Sequence, residues 1–455
     1  VRVVNLSLLN TPWYIKQLIN DEPKLDIQFC NKALLNDIYN IEKEYLISTY
    51  EGYNLCSHND MNFQDGQIDC ELSFSVDPVD SSNAYKIMQF EIPLYRKQYL
   101  RVQDYMILQI LQDELPNKPI YFAATVSEGN QVGLKPYLLM EGMAYKIMPN
   151  VVSGINYAKM EQNLIFNNEN DTIRTADDYL DAINNHRGIY RFTNLNNSDI
   201  HFNGNIKRLV QNYRIGYIRM AQNQLSLSNN EQAASIVKTM NDNFPKEQLP
   251  LDPWIGFELL EKIYTPLNYI DEQRDMLDYL INNDTDINIQ LISILKSLEL
   301  KHFDKVEEYI NKYVINNNIS YENKMALFYE TISRQYHPSL NILIENITKE
   351  FIDKEFDVIP KQFDQNALYA FLGSLIKIKN STENLFLSDI ITNITQHLLI
   401  NNYANNLSID SQKDLGDILA RYMEGAVFIN FCNNIFEIHK IEGLLYSLIN
   451  LYMLN

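Results

Sequence analysis

The apolar pattern of this chain changes character twice, near residue 150 and again near residue 205. Beyond residue 205 apolar residues return at helical spacing, and helices of roughly 12 to 20 residues alternate with short Asn, Asp or Pro breaks. That rhythm suits antiparallel helical neighbours. Before residue 150 no single period holds, so strands and helices must be interleaved there. Glycine and proline, at 14 each in 455 residues, are too scarce for a loop-rich fold.

The first 150 residues divide into distinct elements. Val1, Val3, Val4, Leu6, Leu8 and Leu9 form a dense apolar run, which reads as a strand covered on both faces. "NTPWYIKQLIN" follows as a helix: Asn10 or Thr11 can accept its first N–H bonds, and Pro12 fits the first helical position. "NKALLNDIYNIEKEYLI" reads as a second helix. Ile68, Cys70, Leu72, Phe74 and Val76 then alternate with polar residues, as do Met88, Phe90, Ile92 and Leu94. With "DPVDSSNA" between them, these two runs predict an antiparallel pair. Val102, Met106 and Ile110 mark a helix, "IYFAATV" a short strand and "GLKPYLLMEGMAYKIMP" a further helix stopped by Pro149. The expected fold is therefore an α/β domain with a short mixed sheet over 1–150, in which strands at 1–9 and 120–126 lie parallel. A helical connector over 151–204 follows, with one helix opened by Thr175.

Within 205–455 one segment carries a repeat signature. Ala221, Ala233 and Pro245 fall twelve apart, matching the two small positions and the Pro of a tetratricopeptide unit, where helices approach too closely for larger side chains. Later pairs keep the helix-turn-helix length without the signature. A degenerate helical-repeat solenoid is the first reading and a compact bundle the second.

Charge narrows the function classes. A formal charge of -20 repels nucleic-acid phosphates and offers no clustered Lys and Arg, which argues against a nucleic-acid partner. No run approaches the roughly 18 apolar residues of a spanning helix; "YAFLGSLIKIK" is interrupted by Lys377 and Lys379. The four cysteines, Cys30, Cys56, Cys70 and Cys432, form no C-x-x-C pair.

No catalytic constellation is legible. Cys56, His58, Asp60, Asp65 and Cys70 gather ligand types without the spacing of a zinc site. Asp60, Asn62, Gln64 and Glu71 imitate a calcium loop whose glycine is displaced to Gly66, so a polar loop is the simpler reading. Asp284 and Asp286 have the D-x-D spacing of a metal–sugar-nucleotide site, yet they stand in a break between helices, where aspartates cap. Glu141 lies between Leu138 and Tyr145 on the apolar side of its expected helix, a place for either a perturbed functional carboxylate or an ordinarily paired one. If the strands at 1–9 and 120–126 are parallel, their carboxyl ends bring Asn10, Thr11, Trp13, Tyr14, Ser127 and Glu128 to one crevice. There Trp13 and Tyr14 either stack on a sugar or pack the core. No residue is singled out as catalytic, none as a metal ligand, and no cofactor is implied.

Three segments together carry a family resemblance: "VRVVNLSLLNTPWYIKQL", the pair "RVQDYMILQIL" and "NKPIYFAATVSEGNQVGLKPYLLMEGMAYKIMP", and "RLVQNYRIGYIRMA" with its following helices. They resemble the carboxy-terminal part of the Bacteroidetes-type multipass membrane proteins similar to protein O-mannosyltransferases, grouped as glycosyltransferase family 117. The resemblance implies a parent enzyme that moves a sugar from a lipid-linked donor at the extracytoplasmic (periplasmic) face of the cytoplasmic membrane. It further implies that Val1 is an interior cut and that the catalytic and membrane-anchoring portion lies before it. The helical repeats would hold an acceptor protein or an envelope partner. A scaffold without enzymatic role is the alternative, and a small-molecule site around Asn10 and Ser127 a third.

Overall fold

A computed structural model describes residues 2–25, 67–74, 86–93, 102–115, 118–152, 154–165, 194–334, 336–357, 365–382 and 386–391, together with 177, 180, 190, 192 and 394 singly. The expected helix at "NKALLNDIYNIEKEYLI", the polar loop from Cys56 to Gly66 and Thr175 lie outside these residues. The chain forms two compact units, residues 1–268 and 269–455.

Unit 1 opens differently from the sequence reading. Leu6–Leu8 is a single 3-10 turn, not a strand. Asn5 Oδ1 accepts the Ser7 N–H at 3.0 Å and Thr11 Oγ1 donates to the Leu8 carbonyl at 2.6 Å, so side chains satisfy backbone groups that a strand would have offered to a neighbour. Helix α1 (Pro12–Asn20) follows, with Pro in its first turn as expected. Strands β1 (Gln67–Phe74) and β2 (Lys86–Pro93) pair antiparallel with Cys70 opposite Phe90. Met88 and Phe90 are buried with Gln89 exposed between them, the alternation read from the sequence. Helix α2 (Val102–Glu114) leads to β3 (Tyr121–Ala123).

The segment expected to be a helix after β3 is a hairpin. Strands β4 (Leu138–Met140) and β5 (Ala144–Ile147) pair antiparallel around a turn at Gly142, whose φ of 80° is the left-handed conformation glycine adopts without cost. β3 pairs antiparallel with the other side of β5, giving the order β3-β5-β4. The parallel pairing of 1–9 with 120–126 is thus corrected: the first is not a strand and the second runs antiparallel to its neighbour. One parallel bridge, Met140 to Ile155, covers the outer edge of β4.

A single apolar core joins these parts. Leu9, Ile15 and Leu18 from the N-terminal segment meet Met88 and Phe90 of β2, Met106, Leu108 and Leu111 of α2, and Phe122, Leu134, Leu138 and Ile147 around the three-stranded sheet. Each such side chain removed from water contributes about 1.5–3 kcal/mol before entropy is charged against it.

Helix α3 (Tyr157–Leu164) carries the sheet region into the helical part of unit 1, where α4 (Gly204–Ser226) and α5 (Asn230–Asn243) form an antiparallel pair. Gly216 lets α4 approach α3: a Cβ there would stand 3.1 Å from Leu164 Cδ1. Ala221 of α4 and Ala233 of α5 are fully buried, and the two helices pack on each other. Helix α6 (Pro253–Leu259) packs on α4 and continues as a π-helical turn over Leu260–Tyr264.

Unit 2 is helical among its described residues. It comprises α7 (Ile270–Asn283), α8 (Ile287–Glu299), α9 (Phe303–Tyr309) with a π-helical extension over Ile310–Ile315, α10 (Tyr321–Arg334), α11 (Asn341–Asp357) and α12 (Gln365–Thr382). Asp286 caps α8 by accepting the Asn288 N–H at 2.9 Å, and Asp284 accepts the Asp286 N–H at 2.8 Å. The D-x-D pair is therefore helix-start chemistry. α7 packs on α8, α8 on both α9 and α10, and α10 on α11. Tyr309, buried in α9, donates to Asp278 of α7 at 2.7 Å, and Lys324 of α10, 1% exposed, is bound by Glu350 and by Asn346 of α11 at 3.0 Å. These paired polar groups fix the helices' relative rotation.

Candidate functional site

The turn between β4 and β5 gathers one cluster of polar side chains in unit 1. Glu141 opens the turn, its N–H donating to the Ala144 carbonyl at 2.8 Å. Its carboxylate is half-buried and accepts two neutral donors, Asn156 Nδ2 at 2.8 Å and the Tyr121 hydroxyl at 3.2 Å. Asn156 is fixed in turn as the N-cap of α3, where its Oδ1 accepts the Lys159 N–H at 3.4 Å. Glu141 thus sits on a hairpin turn and not on the helix face expected for it. It is paired with two hydrogen-bond donors, the ordinary form of satisfaction for a carboxylate.

Behind the turn, Tyr190 Oη accepts the Met143 N–H at 2.9 Å, and the Gly142 N–H points at Met160 Sδ at 2.8 Å. A Cβ on Gly142 would stand 2.5 Å from Tyr190 Oη and 2.8 Å from Asn163 Nδ2. Tyr190 continues into an aromatic cluster: Phe192 makes edge contacts with Tyr213 and Phe244 at centroid distances of 5.3 and 4.9 Å. Tyr217 anchors it by donating to the Leu164 carbonyl at 2.6 Å.

The electrostatics define what the turn can do. Burial first, then the Glu141 charge and the hydrogen bond to it, hold the Tyr121 hydroxyl above its ordinary pKa. It is therefore a neutral donor at physiological pH and not a nucleophile or base. A carboxylate, an amide and a phenol thus stand together at this edge, bonded to one another. The turn assembles no nucleophile–base pair. Among the described residues no group of three or more His, Cys, Asp or Glu is placed to hold a metal ion.

Thr11, Tyr14, Ser127 and Glu128 find partners within their own segments, and Asn10 and Trp13 are exposed. Thr11 Oγ1 bonds to Leu8, Tyr14 Oη accepts the Asn5 N–H at 2.7 Å and packs in the core, and Trp13 is 60% exposed. Asn10 is exposed. Ser127 Oγ accepts from Asn130 at 3.0 Å, and Glu128 pairs with Lys135 at 2.8 Å on the surface. The parallel strand ends that would have joined these two groups do not exist. Sequence reasoning passed over Tyr121, Asn156 and Tyr190, which lie 20, 15 and 49 residues from Glu141. Only Gly142, in "MEGMA", signalled the turn that brings them together.

Among the described residues no helix is long and apolar enough to cross a membrane. No curated protein and no solved structure matches the chain. Residues 67–164, the segment from β1 to the end of α3 that contains Glu141, Tyr121 and Asn156, match the model of the TMEM260-associated domain 2, a family linked to TMEM260, a protein O-mannosyltransferase-like protein.

Proposed function

We propose that this chain is the extracytoplasmic, non-catalytic part of a membrane glycosyltransferase of the O-mannosyltransferase-like kind. In this reading a membrane-embedded part of the same protein transfers sugar from a lipid-linked donor, and this chain presents the acceptor protein. The match of residues 67–164 to a domain linked to such a protein carries the reading. The Glu141 turn supports it, since the turn lies inside that segment and has polar side chains without a catalytic pair.

The test is made in the cell that produces the protein, by combining Tyr121→Phe with Glu141→Gln, confirming normal protein levels and measuring the glycan on envelope proteins. Reduced glycan occupancy supports acceptor presentation. Unchanged occupancy in this variant, and also after deletion of 205–382, removes it in favour of a non-enzymatic scaffold. That second reading rests on one observation: helices pack on the next but one, α4 on α6 in unit 1 and α8 on α10 in unit 2, as in stacked helical repeats that display a continuous binding surface.

A further inference from the structure

Two histidines of unit 2 occupy the same structural position. His302 is the N-cap of α9, and His337 is the N-cap of the 3-10 turn Pro338–Leu340 that runs directly into α11. Phe303 joins them: its ring stacks on His337 with centroids 3.4 Å apart and planes 3° from parallel. The start of α9 and the start of α11 are thereby held together, and α9 packs on the 3-10 turn.

Both imidazoles are placed to be neutral. His337 Nδ1 accepts the Ser339 N–H at 3.2 Å and lies 3.0 Å from Ser339 Oγ, so the nitrogen that caps the turn must carry a lone pair. A proton on Nδ1 would set two donors face to face and abolish the cap. His302 is 4% exposed, with Nε2 2.9 Å from Gln273 Oε1 of α7. Each ring also stands at a helix start, where the aligned peptide dipoles disfavour a cation. The charged groups acting on His302 are Arg274 of α7 and Asp304 of its own helix, which are locked to each other at 2.7 and 2.8 Å. Burial first, then Arg274, hold His302 below its ordinary pKa, against the opposing pull of Asp304. Burial does the same for His337.

We propose that His302 and the adjoining Phe303–His337 stack form a proton-sensitive latch that fastens α10–α11 to α8–α9 when neutral and loosens that junction when protonated. The sign follows from linkage. With both folded-state pKa values below the ordinary 6.5, the open chain takes up protons first as pH falls, so stability present at neutral pH is lost from about pH 6.5 downward.

The experiment is hydrogen exchange of the full chain at pH 7.5 and 5.5, corrected for the intrinsic rate, read in peptides covering 303–309 and 338–357. The latch predicts that opening in these peptides rises more than about threefold at the lower pH. In the double variant His302→Gln with His337→Asn, whose amides keep the bonds but do not titrate, opening is expected to change by less than about half that factor. An unchanged wild type, or a double variant that responds as the wild type does, overturns the proposal. Should the double variant not fold, imidazole titration of the wild type by NMR decides: both pKa values below 6.5 support the latch, and either at or above 6.5 refutes it.

Discussion

Arg214 is the most demanding side chain in unit 1, and replacing it with methionine tests whether the loop from α5 to α6 is held as described. The guanidinium is 1% exposed and donates to four oxygens: Gln211 Oε1 at 3.0 Å, the Pro250 carbonyl at 3.2 Å, the Phe244 carbonyl at 2.8 Å and the Leu249 carbonyl at 2.6 Å. Replacing a buried charge by a hydrophobic group of similar volume is often neutral when its partner goes as well. Here the partners are backbone carbonyls and stay. Pro250 keeps Gln211 Nε2 at 2.8 Å, so among the described bonds the loss falls on Phe244 and Leu249. Two buried acceptors left without donors cost about 1–3 kcal/mol each, partly offset by no longer desolvating the cation. The expected net loss is about 3 kcal/mol, or roughly a hundredfold in the local opening constant. Because the chain forms two units, a global melt need not be two-state, so the assay is hydrogen exchange in peptides spanning 204–252. Arg214→Lys, which keeps the charge but not the fork, should fall between the two. A methionine variant within about 0.5 kcal/mol of the wild type would refute this account of the loop.

Other consequences are equally direct. Gly142→Ala forces a Cβ against Tyr190 Oη in a left-handed residue and should cost about 2–4 kcal/mol in thermal or denaturant unfolding; adding Tyr190→Phe should recover part of it, giving a positive coupling in the double-mutant cycle. Ala233→Leu overfills the closed α4–α5 contact and should destabilise that pair by about 1–3 kcal/mol, whereas Ala234→Leu, half-exposed one position on, should cost less than about 1 kcal/mol. Asp286→Ala removes the α8 cap at a cost of about 1 kcal/mol with no change in metal content, which a metal-site reading of the D-x-D pair would not predict.

The helical elements were legible because their signals are local. The Asp286 cap, the buried alanines of α4 and α5 and the alternation in β2 each follow from residues a few positions apart. The run from Val1 to Leu9 misled because a dense apolar stretch has no period, while the side-chain bonds from Asn5 and Thr11 that wind it into a turn leave no mark in a hydropathy pattern. The β4–β5 hairpin reads as a helix in sequence because its apolar residues are crowded enough to satisfy either spacing. Gly142 was the discriminating residue, since a helix-interior glycine costs about 1 kcal/mol relative to alanine and a left-handed turn costs it nothing. The partners of Glu141 were invisible for a different reason: they come from β3 and the start of α3, and only the folded sheet brings them within 3.2 Å.

Service to a sugar-transferring membrane enzyme is tested most directly by intact-mass measurement of envelope glycoproteins. Cells lacking residues 67–164 of this protein, compared with cells in which they are restored, should lose the sugar-sized mass additions and regain them on restoration, with the rest of the protein still produced. Additions that persist unchanged without those residues would contradict it.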